Sequence, residues 1–442
     1  MDKFNMLLDE HRKKSNSGKK SETGNKIIGV DNNNFVGYDT TTIESEIFHV
    51  EKIEKSSVIF TYENPFYYEA GGQISDKGSL KLNDDVIDVQ EVIQSDSGST
   101  GLVINNQNVN IGDKITLNVD ERFRSSVSKS HTAAHIVHSS LRNILGDHVA
   151  QAGSHVAPGK FRFDFSHTEK VKTQELDEIF QMSNDNIYKD LSVDTNVMNI
   201  NKAKEEGALA FFGDKYDDDV RVVNIGNFSK ELCGGTHVHN SNEVGMIVLL
   251  NESSIGSNLR RIEMLSGEQA YSFMSNAYKS YESVSEMLQT NIEQVPEKLK
   301  TFMESYEDIK NKIETYNKQE SGKELERIVN DTKEINNLRT YIGTVNVSDS
   351  NEAKEIAVQS IKSHNLDFTF LLAKIETKTV IVGTKNAKNL ANLDVSEIVS
   401  NASKLYGGGA SKDATLSIGG GPTEYDDKKC IEYVTQEFTN NI

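Results

Sequence analysis

Apolar positions change period along this chain, and the changes divide it into segments. Between residues 25 and 120 they form short runs, Ser57–Tyr62, Gly78–Leu82 and Lys114–Val119, separated by Asn, Asp and Gly turns. That pattern predicts a small β-barrel or sandwich. Residues 123–267 mix helical and strand stretches. From Val295 the apolar positions are Val295, Leu299, Phe302, Tyr306, Ile309, Ile313 and Tyr316, in alternating steps of four and three, which is a heptad seam. Pro296 suits the first turn of a helix and its predecessor avoids helix, so two helices with a break near Asn291–Val295 are expected. The seam serves a coiled coil or an amphipathic helix on its own domain; either way the segment is a spacer or arm. Residues 340–442 read as a small α/β unit with strands at Phe368–Ala373, Thr379–Val382 and Ala414–Ile418, and helices at 387–405 and about 427–438. The expected class is α+β and multidomain, divided at 1–24, 25–122, 123–270, 271–339 and 340–442. The first segment reads as a helix end followed by a Ser/Gly/Lys linker.

Composition narrows the class. A chain of 442 residues, 36% hydrophobic and 26% charged, is globular in character and long enough for two to four domains. Two cysteines, Cys233 and Cys430, are too few for a disulfide framework and suggest a reducing compartment. The charged N-terminus has no apolar signal-peptide core, and no apolar run would span a bilayer. A cytoplasmic protein without membrane contact is expected. The net charge of −19 argues against wholesale nucleic-acid binding. Basic points remain, however, among residues 1–20, where six Lys/Arg face three acids, and at Arg260-Arg261.

The chemistry lies in two short stretches, His131-Thr-Ala-Ala-His135 and Cys233-Gly-Gly-Thr-His237. On a helix, His131 and His135 share one face. Two glycines between Cys233 and His237 suit a turn that brings backbone and ligands together. The set His131, His135, Cys233 and His237 suits one tetrahedral zinc ion. A zinc protease of the HExxH kind is excluded, because Thr132 occupies the position its general-base Glu needs. The clusters Gly407-Gly408-Gly409 and Gly419-Gly420-Gly421 flank the third C-terminal strand, and such runs either cradle phosphate or serve as linkers.

These motifs, taken together, resemble one family. The stretches are Ser130–His135, His148-Val-Ala-Gln-Ala-Gly-Ser154, Phe161-Arg-Phe-Asp-Phe-Ser-His167, Gly207–Tyr216, Phe228–His237 and Arg260-Arg-Ile-Glu263, with Asn64–Asp76 upstream and Gly407–Gly421 downstream. They resemble the editing and C-terminal parts of the alanyl-tRNA synthetases in their bacterial form. The family's Arg-Pro-Asp reads Ser411-Lys412-Asp413 here. No stretch resembles the class II aminoacylation core, so neither ATP binding nor alanine activation is expected of this chain alone. Residues 1–15 look like the last helix of the family's tRNA-recognition domain. A C-terminal portion of the synthetase is therefore expected, ahead of a free-standing editing protein of the long type.

The resemblance implies hydrolysis of the ester in mischarged Ser-tRNA(Ala) or Gly-tRNA(Ala), since an alanine pocket rejects neither competitor strongly. The four ligands match the family's zinc site. With all four bound, the ion holds the tRNA 3′ end or generates hydroxide, and the sequence does not decide between them. Gln151 matches an editing-pocket glutamine, and Thr132 is a second catalytic candidate. Asp164 and His167 read as supporting residues. Gly71-Gly72-Gln73 reads as a turn facing the pocket. Together with Arg260, Arg261, Gly408, Gly409 and Gly420, these three are assigned to substrate binding. The implied partner is tRNA(Ala), gripped at its outer corner by the C-terminal domain, with the arm setting the distance between sites. A separate aminoacylation-core chain and a homodimer through the arm or C-terminal domain stay open. So do two other classes: an RNA-binding module with a structural zinc, and a zinc hydrolase acting on small aminoacyl esters.

Overall fold

The computed structural model describes residues 30–31, 33–53, 55–106, 108–210 and 217–442. The N-terminal helix and basic points within residues 1–20, and the end of the Gly207–Tyr216 motif, lie outside these. The chain divides into two compact units, Met1–Ser283 and Val284–Ile442.

The first unit begins with a closed barrel. Its strands are β1 (Thr42–Ile53), β2 (Ser56–Thr61), β3 (Gly78–Leu82), β4 (Asp85–Gln94), β5 (Thr100–Ile104) and β6 (Lys114–Val119), in the order β1-β2-β5-β4-β3-β6, with β6 pairing back onto β1. Alternation builds it: in β6 the buried residues are Ile115, Leu117 and Val119, which join Ile47, Ile59, Leu80 and Leu102 inside. The sequence left barrel and sandwich open, and closure onto β1 decides for the barrel.

Helix α1 (Glu121–Leu145) follows directly. The Asp120 carboxylate caps it by accepting from the Phe123 amide at 3.0 Å, and Gly146 ends it. Almost all of α1 from Val127 to Leu141 is buried. Its apolar side packs on a four-stranded sheet of β7 (Gln151–Ala157), β8 (Lys160–Ser166), β12 (Ile247–Gly256) and β13 (Leu259–Ser266), ordered β12-β13-β8-β7, whose inward residues include Phe161, Phe163 and Phe165. Helix α2 (Thr173–Tyr188) packs beside it, where Ser183 Oγ donates to Ser140 Oγ at 2.8 Å; small side chains permit the close approach. A second sheet contains β9 (Val193–Asn199), β10 (Asp219–Ile225) and β11 (Ser229–Leu232), with α3 (Ile200–Glu205) between the first two.

Barrel and α1 are joined through a buried ion pair. Arg124, 6% exposed, donates from Nε to both oxygens of Asp76 at 2.9 and 3.0 Å. Its Nη1 and Nη2 donate to the carbonyls of Gly37 and Pro65 at 2.6 and 2.7 Å.

Helix α4 (Gly267–Met287) contains the boundary between units. In the second unit a 3-10 turn at Ile292–Gln294 leads into α5 (Val295–Asn330), with Pro296 in its first turn. The break thus falls where the sequence placed it. The heptad residues Leu299, Phe302, Tyr306, Ile309, Ile313 and Tyr316 are exposed, and α5 is anchored by Leu325 and Ile328 near its C-terminal end.

Beyond it lies a six-stranded sheet. Its strands are β14 (Lys333–Ile335), β15 (Leu338–Thr344), β16 (Phe368–Ile375), β17 (Lys378–Lys385), β18 (Gly409–Ala410) and β19 (Leu416–Gly421), ordered β14-β15-β16-β17-β19-β18. One face of β16, with Phe368, Phe370 and Leu372, packs on α7 (Val395–Leu405) and α8 (Asp427–Asn440). The other, with Leu371 and Ala373, packs on α6 (Ser350–His364) and the end of α5. Burial on both faces explains why β16 reads as a nearly continuous apolar run, broken before Lys374 only by the buried Thr369. The helix expected at 387–405 begins only at Val395. Asp394 caps it by accepting from Ser396 N, and the preceding turn carbonyls of Leu390 and Leu393 accept from the buried Lys385 ammonium. Among the described residues no helix is long and apolar enough to cross a membrane.

Replacing Arg124 by Leu strands a buried carboxylate and leaves two carbonyls without their donor. Loss of about 3–5 kcal/mol is expected, read as a lower urea midpoint by far-UV circular dichroism.

Candidate metal centre

Four side chains converge where α1 meets the segment after β11. His131 and His135 project from one face of the helix, Cys233 follows β11 directly, and His237 comes four residues later. One ligand atom from each lies within 4.8 Å of all the others. Cys233 Sγ is 3.4 Å from His131 Nε2 and 3.3 Å from His237 Nε2. Around a tetrahedral zinc, sulfur and nitrogen ligands sit about 3.6 Å apart, from bond lengths of about 2.3 and 2.0–2.1 Å. The donor set therefore fits zinc in both kind and spacing.

Local backbone makes the approach feasible. A Cβ on Gly235 would come within 2.0 Å of His131 Cε1 and 2.9 Å of Gln73 Oε1, so only glycine lets the loop lie this close. Arg221, on β10, supports the loop by donating to the carbonyls of Cys233 and Gly235 at 2.8 and 2.9 Å. Its guanidinium stacks over the Tyr38 ring, 4.1 Å from the centroid, and Tyr38 Oη donates to Gly234 O at 2.5 Å.

Two of the three imidazoles also hydrogen-bond a polar group away from the cluster, a contact that fixes ring orientation in metal sites, while the third faces a carboxylate at longer range. His131 Nδ1 is 2.8 Å from Gln73 Oε1, and His237 Nδ1 is 3.0 Å from Thr132 Oγ1. His135 Nδ1 lies 3.9 Å from Glu231 Oε2, while the other oxygen of Glu231 is 3.1 Å from His138 Nδ1.

The electrostatics follow from this crowding. Burial raises the Cys233 thiol, but His131, His135 and His237 outweigh it and hold it well below its usual value. Burial lowers His135, yet the Glu231 and Cys233 charges lift it to about 9. Burial, reinforced by His131, pushes His237 down to about 3. Glu231 is raised by burial but held at about 2 by His135 and His138. Perturbed groups gathered at one place mark a functional-site candidate.

The remaining candidates are placed as follows. Thr132, fully buried, accepts from Val238 N at 3.2 Å and so ties the helix to the ligand loop. Gly71, Gly72 and Gln73 form the tip of a barrel turn, where Gly72 O accepts from Val156 N of β7 at 2.7 Å. Gln73 is wholly buried. Gln151 opens β7 opposite Phe165 and is half-buried; among the described residues no hydrogen bond joins it to the four ligands. Arg261 pairs with both oxygens of Asp164 at 2.6 and 2.8 Å, and Arg260 with Glu252 at 2.5 Å. His167 Nδ1 is 2.9 Å from His148 Nε2. Gly408, Gly409 and Gly420 lie where β18 meets β19. Gly420 has φ +132°, and a Cβ there would fall 1.9 Å from Thr379 O. Close backbone packing accounts for Gly408 and Gly420, whereas a Cβ on Gly409 would meet open space.

Sequence reasoning gave no role to Glu231, Arg221, Tyr38 or His138. Glu231 lies two residues before Cys233, where its position was the available signal; the others are brought in by the fold. A cavity of about 660 Å³ opens beside the cluster, lined by Tyr38, Thr195, Arg221, Thr236 and His237 among others.

Comparison with known proteins locates this site in a family. Residues 220–263 match the family described as threonyl and alanyl tRNA synthetase second additional domain, and residues 1–123 that described as tRNA synthetases class II (A). The alanine–tRNA ligase of Staphylococcus aureus (strain MSSA476) is 31% identical over 420 residues, covering 92% of this chain and 48% of that protein. That of Oceanobacillus iheyensis is 32% identical over 443 residues, covering 98% and 50%. The chain is similar to the alanyl-tRNA synthetases over nearly all of its length. It spans about half the length of the curated relatives it matches. The class II match falls on the barrel and the residues before it, a region the sequence reading assigned to no aminoacylation core. The C-Ala domain of Aquifex aeolicus alanyl-tRNA synthetase covers 25% of this chain at 15% identity, with a TM-score of 0.23, a likeness too slight to carry the fold.

The purified chain is expected to bind one zinc ion. Its cobalt-substituted form should show a thiolate-to-cobalt charge-transfer band in the near ultraviolet that Cys233→Ala abolishes. An unchanged band in that variant would remove Cys233 from the ligand set.

Proposed function

We propose that this chain hydrolyses the ester of tRNA(Ala) mischarged with serine or glycine. The observation that carries the reading is the His131, His135, Cys233 and His237 cluster opening on a polar cavity, with Cys233 and His237 in a stretch matching a synthetase domain. At about 660 Å³ the cavity lies within the usual range of about 300–1,000 Å³ for ligand sites. The need for such a site is physical: a pocket for alanine admits smaller glycine and cannot strongly reject one added hydroxyl, so a second hydrolytic sieve supplies the discrimination.

A zinc ion held by these four side chains would supply concentrated positive charge, and with four protein ligands it suits anchoring the 3′ end better than generating hydroxide. Arg221, Thr195 and Tyr38 offer donors to the terminal nucleotide from the cavity wall. Gln151 remains our candidate for holding the aminoacyl end, and Thr132 acts through His237. In the second unit, the loop with Gly408, Gly409 and Gly420 is assigned to the outer corner of tRNA. Gly71 and Gly72 lie beside the pocket in this reading. Arg260 and Arg261 reach RNA only by exchanging Glu252 and Asp164 for phosphate. A homodimer would use the exposed seam of α5, and a separate chain with an aminoacylation core is compatible with this assignment.

The test is deacylation of Ser-tRNA(Ala) beside Ala-tRNA(Ala), by this chain and by Cys233→Ala. Selective loss of serine, falling to the buffer rate in the variant, is expected. No loss above that rate with zinc loaded and tRNA bound would leave a tRNA-binding module with a structural zinc.

A further inference from the structure

The barrel contributes to the metal centre without supplying a ligand. Gln73 lies at the tip of a barrel turn, 58 positions before His131, and its side chain is wholly buried. Its carboxamide has three partners. Oε1 accepts from the Thr236 backbone amide at 2.9 Å and lies 2.8 Å from His131 Nδ1, while Nε2 donates to Thr236 Oγ1 at 3.0 Å. Ser128 Oγ also donates to Thr236 Oγ1 at 2.8 Å.

These contacts fix a tautomer. A backbone N–H can only donate, so the atom facing Thr236 N must be the amide oxygen. The same oxygen faces His131 Nδ1, which must therefore carry its proton. Nε2 is left with a free lone pair, and Nε2 is the atom 3.4 Å from Cys233 Sγ. One carboxamide thus sets the lone pair of a ligand on α1 and holds the loop carrying Cys233 and His237. The tip itself is held in place, since Gly72 O accepts from Val156 N and Val156 O accepts from Ile74 N.

We infer that Gln73 is a positioning residue for zinc: by accepting from His131 Nδ1–H and Thr236 N–H together, it makes metal affinity depend on the barrel. The inference rests on the zinc reading of the four ligands. It assigns Gln73 a place behind a ligand instead of on the pocket wall. Removing such a partner commonly costs about 10–100-fold in metal affinity.

Competition with a chromophoric chelator measures zinc affinity in the full chain, in Gln73→Met, which keeps volume without the acceptor, and in Gln73→Glu, which keeps the acceptor. Gln73→Met should bind about 10–100-fold more weakly, with shifted cobalt d–d bands. Gln73→Glu should stay within about threefold of the parent and keep its bands, because a carboxylate behind a ligating histidine serves the same purpose. Thermal unfolding of each metal-free variant by circular dichroism checks that it folds. Parent-like affinity in Gln73→Met overturns the inference and leaves the metal site standing. A folded Gln73→Glu as weak as Gln73→Met also overturns it, because acceptance would then not be what matters. A parent chain that binds no zinc overturns both.

Discussion

Helix α1 carries histidine, serine and threonine along a face that the fold buries, and burial is tolerable only where each polar group finds a partner. Most of the first unit follows from that requirement. Arg124 near the start of the helix takes Asp76 and two barrel carbonyls; Thr132 takes the His237 ring and the Val238 amide; His131 takes Gln73. None of these partners lies within the helix. Barrel, helix and ligand loop are therefore fixed together by polar contacts, three of which reach His131, His237 or its neighbour Val238.

The same crowding shapes the electrostatics. Three imidazoles around one thiol favour the thiolate, and a buried carboxylate behind His135 favours its protonated form. In isolation such an arrangement would be expensive. Its order is reasonable if the groups serve a cation, whose charge replaces the protons they would otherwise share. Glu231 faces His135 and His138 at once, so it belongs to this charge balance as much as the ligands do.

The second unit follows a plainer logic. Its sheet is covered on both faces, and its glycine-rich hairpin is shaped by backbone approach: Gly420 N donates to Ser403 Oγ at 2.8 Å. Ser411 and Asp413 organise the turn by accepting from the amides of Ile418 and of Thr415 and Leu416. Short Ser and Asp side chains order such turns by accepting from nearby backbone amides.

The sequence by itself determined what depends on neighbours along the chain. The pattern in Lys114–Val119 marked a strand, Pro296 marked the start of α5, and the apolar run from Phe368 marked a further strand. The ligand pairs were legible because residues four apart on a helix or about a tight turn are already close. Tertiary structure decided what joins distant segments. No local pattern could place Gln73 behind His131, Arg221 beneath the ligand loop or Arg124 against Asp76, because these contacts span 58, 14 and 48 positions. It also decided that Arg260 and Arg261 are paired and not free, since their partners lie on neighbouring strands. Spacing in the chain reports which groups can meet locally; which buried donor finds which acceptor is settled only when the elements pack.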